Sequence, residues 1–255
     1  NMAALLEMMA GLARGEKVRA KAQPVPKAGF YWPGKGIVAE AEMTTLISPP
    51  AGRGCRQAGE GRSQISQGWR GPSSALRAPS PRDRGEGEEA RIPLLFYRSM
   101  LLAADAAPID ALCEALSARG LTPLPIFVAS LKDRDSIAFV EKALADFPPA
   151  AIVTATAFAS GAEPDAETLF DRAGVPVFQA IVATTKREAW AANQRGLAPA
   201  DLAMHVVLPE LDGRILGGAI SFKDEREADA ALGWKAQGNR PEPDRIAALA
   251  DRIGA

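Results

Sequence analysis

The sequence predicts an α/β fold: a parallel sheet of Rossmann or flavodoxin-like layering, covered by helices. Two observations carry that expectation. Short apolar runs at 92–97, 124–128 and 151–155 have the length of buried strands, and segments with helical spacing alternate with them. Short links between them make strand, helix, strand, helix, strand the pattern of right-handed crossovers in a parallel sheet.

The elements follow in order. Residues 2–13 form an Ala- and Met-rich helix, and a basic linker runs from there to Lys27. At 29–34 three aromatics, Phe30, Tyr31 and Trp32, stand among glycines and a proline, which predicts a packed loop covering a core edge. From 48 to 91 the chain carries eight Gly, five Pro, six Ser and eight Arg, with only Ile65, Trp69 and Leu76 as large apolar residues. Such a segment buries too little surface to offset its ordering entropy, so it reads as a disordered insert. Its five acids and lack of interleaved aromatics argue against a nucleic-acid site.

After the strand at 92–97, a helix from about 107 repeats Ile109, Leu112, Cys113 and Leu116 at helical steps and stops at Gly120. A second strand follows at 124–128. Ser136 is the expected cap of the next helix, with Ile137, Val140, Leu144 and Phe147 on one stripe, and 151–155 is the third strand. Further strands are expected at 175–182, 204–208 and 215–222, and helices at 186–194 and 243–253. The organisation is therefore a helix and aromatic loop over 1–47, the insert at 48–91, and an α/β domain over 92–255.

Composition narrows the function classes. Thirty basic and 31 acidic residues give a net charge of −1, so no basic footprint for nucleic acid is present. No window approaches the roughly 18 apolar residues of a membrane span, and the expected location is cytoplasmic. Cys55 and Cys113 form no paired motif, which leaves Cys113 as a small core residue. No phosphate-binding glycine motif appears, so no nucleotide site is expected within this chain. The first and last residues read as the ends of an excerpt.

The chain's single histidine stands in the stretch 201–214. With alternation from Ala203, His205 shares a strand face with Ala203 and Val207, and Pro209 ends the ladder before Glu210 and Asp212. An imidazole and carboxylates near a strand end can bind a cation or move protons near neutral pH. The structural alternatives are a half-buried histidine bonded to backbone, Glu210 paired with Arg214, and plain turn chemistry at Asp212-Gly213.

Many short motifs, in one order, resemble the large porphyrinoid-binding subunit of aerobic cobaltochelatase and, more distantly, that of magnesium chelatase. They lie at 29–34, 94–99 with 107–112, 128–133, 154–158, 175–179, 203–214, 221–223 and 239–245, which is nearly everything outside 48–91. The stretch from Ala106 to Asp110 fits the cobalt branch better. The resemblance implies insertion of Co²⁺, as substrate, into hydrogenobyrinic acid a,c-diamide during cobalamin synthesis. It also implies ATP hydrolysis with Mg²⁺ on separate AAA+ and integrin-like partner subunits. Two departures accompany it: family members are several times longer, and Met100 stands where a histidine is expected.

Metal insertion strips water from the ion and removes protons from the ring nitrogens. On the resemblance, Glu210 is the metal-handling base and His205 the second metal and proton station. As an extended strand the two lie roughly 16 Å apart, at about 3.3 Å per residue, which makes them two stations on one path. Arg98, with Ser99 beside it, is placed to hold a ring carboxylate or carboxamide, the alternative being an ion pair with Asp105. Thr154, Thr156, Thr184, Thr185 and Lys186 are candidates to line the same cavity, although Lys186 also suits a helix start. Rival functions are a magnesium chelatase subunit acting on protoporphyrin IX, a non-catalytic ring-binding module, and an inactive truncated product.

Overall fold

The computed structural model describes residues 2–16, 24–48, 90–161, 167–229 and 234–255; the greater part of the expected insert lies outside the described residues. The first helix is α1 (Met2–Ala13). One eight-stranded sheet organises the rest, with β1 (Ala28–Trp32), β2 (Gly36–Val38), β3 (Arg91–Tyr97), β4 (Thr122–Val128), β5 (Ile152–Thr154), β6 (Val177–Lys186), β7 (Ile215–Asp229) and β8 (Trp234–Pro241) in the order β2-β1-β4-β3-β5-β6-β7-β8. The central five, β4-β3-β5-β6-β7, are parallel, while β2, β1 and β8 are antiparallel additions at the edges. The first of the five is flanked by the second and the third, which is the flavodoxin-like order.

Helices cover both faces. On one, α4 (Ala107–Ser117) and α10 (Pro243–Gly254) bury Ile109, Leu112, Leu116, Ile246 and Leu249 against Leu94, Phe96, Val153 and Ile220 of the strands. On the other, α2 (Glu40–Ile47), α5 (Arg134–Asp146) and α6 (Leu169–Ala173) enclose Leu95, Ile126, Val128 and Ile152. Leu94 and Phe96 face one layer and Leu95 the other, the two-residue alternation that lets a strand buried on both sides be apolar throughout. Pro123 and Pro125 are tolerated in β4 because their missing N–H groups point away from β3. On that side β1 pairs only with 126–128. Gly29 has no room for a side chain, since a Cβ there would meet the Phe127 ring at 2.7 Å.

Three local expectations are corrected. The aromatic loop at 29–34 is instead a hairpin, with β1 pairing to β2 and to β4, because Phe30 and Tyr31 alternate into the two cores. The cap of α5 is Asp133, whose carboxylate accepts the N–H of Ser136 at 3.0 Å; Ser136 is the residue being capped.

The third correction concerns 204–208, which is helical. Here α8 (Pro199–Leu202), a π-turn (Ala203–Val207) and α9 (Leu208–Glu210) run on as one stretch. The alternation of apolar residues hid a second pattern: Asp201, His205 and Pro209 are all buried, at four-residue steps. Pro199 suits a first helical turn, and the wider π-turn keeps that stripe against the protein. The remaining short helices are α3 (Arg98–Leu102) and α7 (Arg187–Ala192). Among the described residues no helix is long and apolar enough to cross a membrane.

Candidate functional site

In an open parallel sheet the loops leaving β3 and β5 diverge, because β3 connects to one neighbour and β5 continues on the other side. The crevice between them, outside the carboxyl ends of the strands, is where such folds accept ligands. A cleft of about 270 Å³ lies there. Its walls are Tyr97 at the end of β3, Ser130, Leu131 and Lys132 after β4, Phe158 and its neighbours after β5, and Leu208 from the π-containing helix.

One buried arginine organises the floor. The Arg214 guanidinium donates five hydrogen bonds: two to Asp212 Oδ2 at 3.0 and 2.6 Å, one to Gln179 Oε1 at 2.7 Å, and one each to the carbonyls of Thr156 and Phe158 at 3.2 and 3.0 Å. Its face lies over the Phe170 ring at 5.0 Å. Asp212 in turn accepts the Ser160 N–H at 2.8 Å and the Ser160 hydroxyl at 3.0 Å. The loop after β5 is thus tied to the start of β7 by the hydrogen bonds of a deeply buried ion pair, Arg214 to the Thr156 and Phe158 carbonyls and Ser160 to Asp212. Gly217 lets β7 approach the Gln179 carbonyl, which a Cβ would meet at 2.8 Å.

A second polar knot joins the π-containing helix to the end of β6. Asp201, fully buried, accepts the N–H and hydroxyl of Thr184 at 3.0 and 2.7 Å and those of Thr185 at 2.8 and 2.5 Å. Burial alone would raise its proton affinity, but the bonds from Thr185 and Thr184 outweigh it and hold the carboxyl below the usual range. One turn on, His205 is 6% exposed, and its Nδ1 is buried with no hydrogen-bond partner. Burial pushes its pKa down, Asp201 opposes and Arg214 adds to the depression, so the imidazole is neutral at neutral pH.

The sequence candidates separate. His205 and Thr184 are brought together through Asp201. Thr156 is buried, with its hydroxyl 2.8 Å from that of Thr154 and its carbonyl taken by Gln179 and Arg214, so its polar groups serve the scaffold. Glu210 is exposed, and the partner of Arg214 is Asp212. Arg98 donates to the Val25 carbonyl at 2.8 Å, whereas Asp105 receives Lys223 at 3.2 Å and the Asn239 N–H at 2.8 Å. Ser99 is exposed in the first turn of α3, and Lys186 is exposed, 3.7 Å from Glu225 at the start of α7. The strand spacing of His205 and Glu210 also changes. Five helical residues rise about 7.5 Å rather than 16 Å, with the first side chain inward and the second in solvent. Among the described residues no group of three or more His, Cys, Asp or Glu is placed to hold a metal ion.

Sequence reading missed Asp201, Gln179, Tyr97 and Phe158. The four-residue step of Asp201, His205 and Pro209 was the available signal for the first; Phe158 closes the 154–158 motif, but nothing in the local pattern marks its exposed, left-handed conformation.

Comparison with known proteins adds to this geometry. The profile of the family described as CobN/Magnesium Chelatase matches residues 1–255. The aerobic cobaltochelatase subunit CobN of Sinorhizobium sp. is 32% identical over 254 residues, 98% of this chain and 18% of the relative. That of Pseudomonas aeruginosa is 47% identical over 161 residues, 63% of this chain and 12% of the relative. A magnesium-chelatase subunit of Cereibacter sphaeroides is 31% identical over 151 residues, 56% of this chain and 12% of the relative. A solved structure, the catalytic subunit of cobaltochelatase from Mycobacterium tuberculosis, superposes with a TM-score of 0.50 at 29% identity, over 66% of this chain and 15% of that one. The chain therefore spans less than a fifth of the length of these relatives.

Proposed function

This chain belongs to the CobN/Magnesium Chelatase family, and from that premise we propose that it is a segment of the porphyrinoid-binding subunit of an ATP-dependent cobaltochelatase. The reaction is insertion of Co²⁺ into hydrogenobyrinic acid a,c-diamide for cobalamin synthesis in the cytoplasm, with ATP and Mg²⁺ handled by AAA+ and integrin-like partner subunits. The observation that carries the reading is the match to cobaltochelatase subunits, at 32% identity along 98% of the chain and 47% along 63%, against 31% along 56% for the magnesium enzyme.

Glu210, exposed at the end of the π-containing helix, takes the ion from solvent. His205, held neutral by burial, offers a lone pair to the ion or to a ring proton. The Asp201 and Arg214 networks keep this helix and the loop after β5 in fixed relation.

The test is cobalt insertion by the full-length subunit with its partners, ATP and hydrogenobyrinic acid a,c-diamide. Glu210→Gln is expected to cut turnover by about 10²-fold, the low end of a lost general base, while ring binding followed by spectral titration is retained. Normal turnover by the variant overturns the assignment of Glu210. Insertion of Mg²⁺ into protoporphyrin IX in place of cobalt overturns the choice of branch, and ring binding without insertion supports a binding module.

A further inference from the structure

Phe158 is held at φ +64°, in the left-handed region that a bulky L-residue avoids. Nothing about the loop requires an aromatic there, since glycine adopts this backbone freely. Three attachments impose the conformation. The Phe158 N–H donates to the Met204 carbonyl at 2.8 Å, its own carbonyl receives Arg214 at 3.0 Å, and Asp212 fixes Ser160 two residues on. Their joint effect is to present the ring outward. It is 44% exposed and forms part of the wall of the switch-point cleft beside Tyr97 and Leu208.

A strained backbone that exposes an apolar ring at the usual ligand position of the fold is hard to explain by packing, because the ring would be better buried almost anywhere else. The surroundings define what it meets. The cleft, at about 270 Å³, is too small to enclose a macrocycle and large enough for one peripheral substituent. Lys132 and Ser130 line it with groups suited to a carboxylate or carboxamide, while Phe158 and Leu208 supply an apolar surface. The helix that carries Leu208 also exposes Val207 and Leu211.

We propose that Phe158 is a binding residue that stacks on the face of a conjugated ring lying across this cleft, and that Arg214 is its positioning residue. This rests on the reading of the chain as part of a ring-binding subunit, and it names the contact that reading leaves open.

The test uses the full-length protein titrated with hydrogenobyrinic acid a,c-diamide, following absorbance and tryptophan quenching. Phe158→Ala and Phe158→Gly are each expected to weaken binding about tenfold, the usual scale of one lost aromatic stacking contact. Phe158→Trp should stay within about threefold of the native protein. In all three, hydrogen-exchange protection of the Ser160 amide should be unchanged, which separates a lost contact from a disordered loop. Unaltered affinity in the alanine and glycine variants overturns the inference while leaving ring binding intact. Weakened binding accompanied by lost Ser160 protection also overturns it, since Phe158 would then be structural. A native protein that binds no ring overturns the functional reading itself, and this inference with it.

Discussion

In residues 91–154 the inward contacts are almost all apolar: Leu94, Phe96, Ile109, Leu112, Leu116 and Val153 pack in one layer, Leu95, Ile126, Val140 and Ile152 in the other. Residues 199–214 are also well buried at Asp201, His205 and Arg214, but Asp201 and Arg214 are held by hydrogen bonds and one ion pair. The difference matters for what each region tolerates. An apolar core loses transfer free energy and gains a cavity when trimmed, whereas a buried polar network strands every partner of the group removed. The second region also carries the π-turn, the unpartnered His205 Nδ1 and the attachments that strain Phe158.

The sharpest way to break this contrast is Arg214→Met. It removes a charge of similar length from a site where Asp212, Gln179 and two carbonyls depend on it, and about 3–5 kcal/mol of stability should be lost in urea unfolding. A loss below about 1 kcal/mol would mean that water replaces the guanidinium and that the network is not holding the loop. Leu112→Ala probes the other region. It is expected to cost roughly 3 kcal/mol, within the range for a fully buried leucine, while leaving the protection of the Ser160 amide intact. Coupling between the two substitutions should be close to zero if the regions are independent.

The smallest effect is the pH response. Burial holds His205 below the ordinary histidine value of 6.5. The unfolded chain therefore takes up the proton first as pH falls, and the contribution of this site, full above 6.5, declines as pH drops through the lower folded value. Asp201, facing His205, stays ionised throughout that window because its own pKa lies below 3.8. His205→Gln should flatten the unfolding midpoint between pH 7 and pH 5; an unchanged slope would place its origin elsewhere.

Most of the sheet was legible because its strands and covering helices repeat apolar residues at two distinct periods. The runs at 92–97, 124–128 and 151–155 became β3, β4 and β5, and the Ile109, Leu112, Leu116 stripe became the buried face of α4. The stretch at 204–208 was misread for a physical reason: Met204, Val206 and Leu208 alternate as in a strand, but the residues that decide its conformation are polar. Asp201 closes its bonds on the end of β6, where no hydrophobic pattern records it. The candidate site was legible only as a neighbourhood. His205 was found, but its dependence on Asp201 and Arg214 was not.

By itself the sequence determined the α/β class, the family through its ordered motifs, and the layers that form the core, since each follows from local periodicity or residue order. Tertiary structure alone decided that Arg214 pairs with Asp212 rather than Glu210, that His205 lies inside a helix, and that Phe158 is turned outward under strain. Those outcomes depend on satisfying buried donors and acceptors between segments up to 58 residues apart. A hydrogen bond of that range is set by where the backbone brings two groups, and no spacing along the chain encodes it.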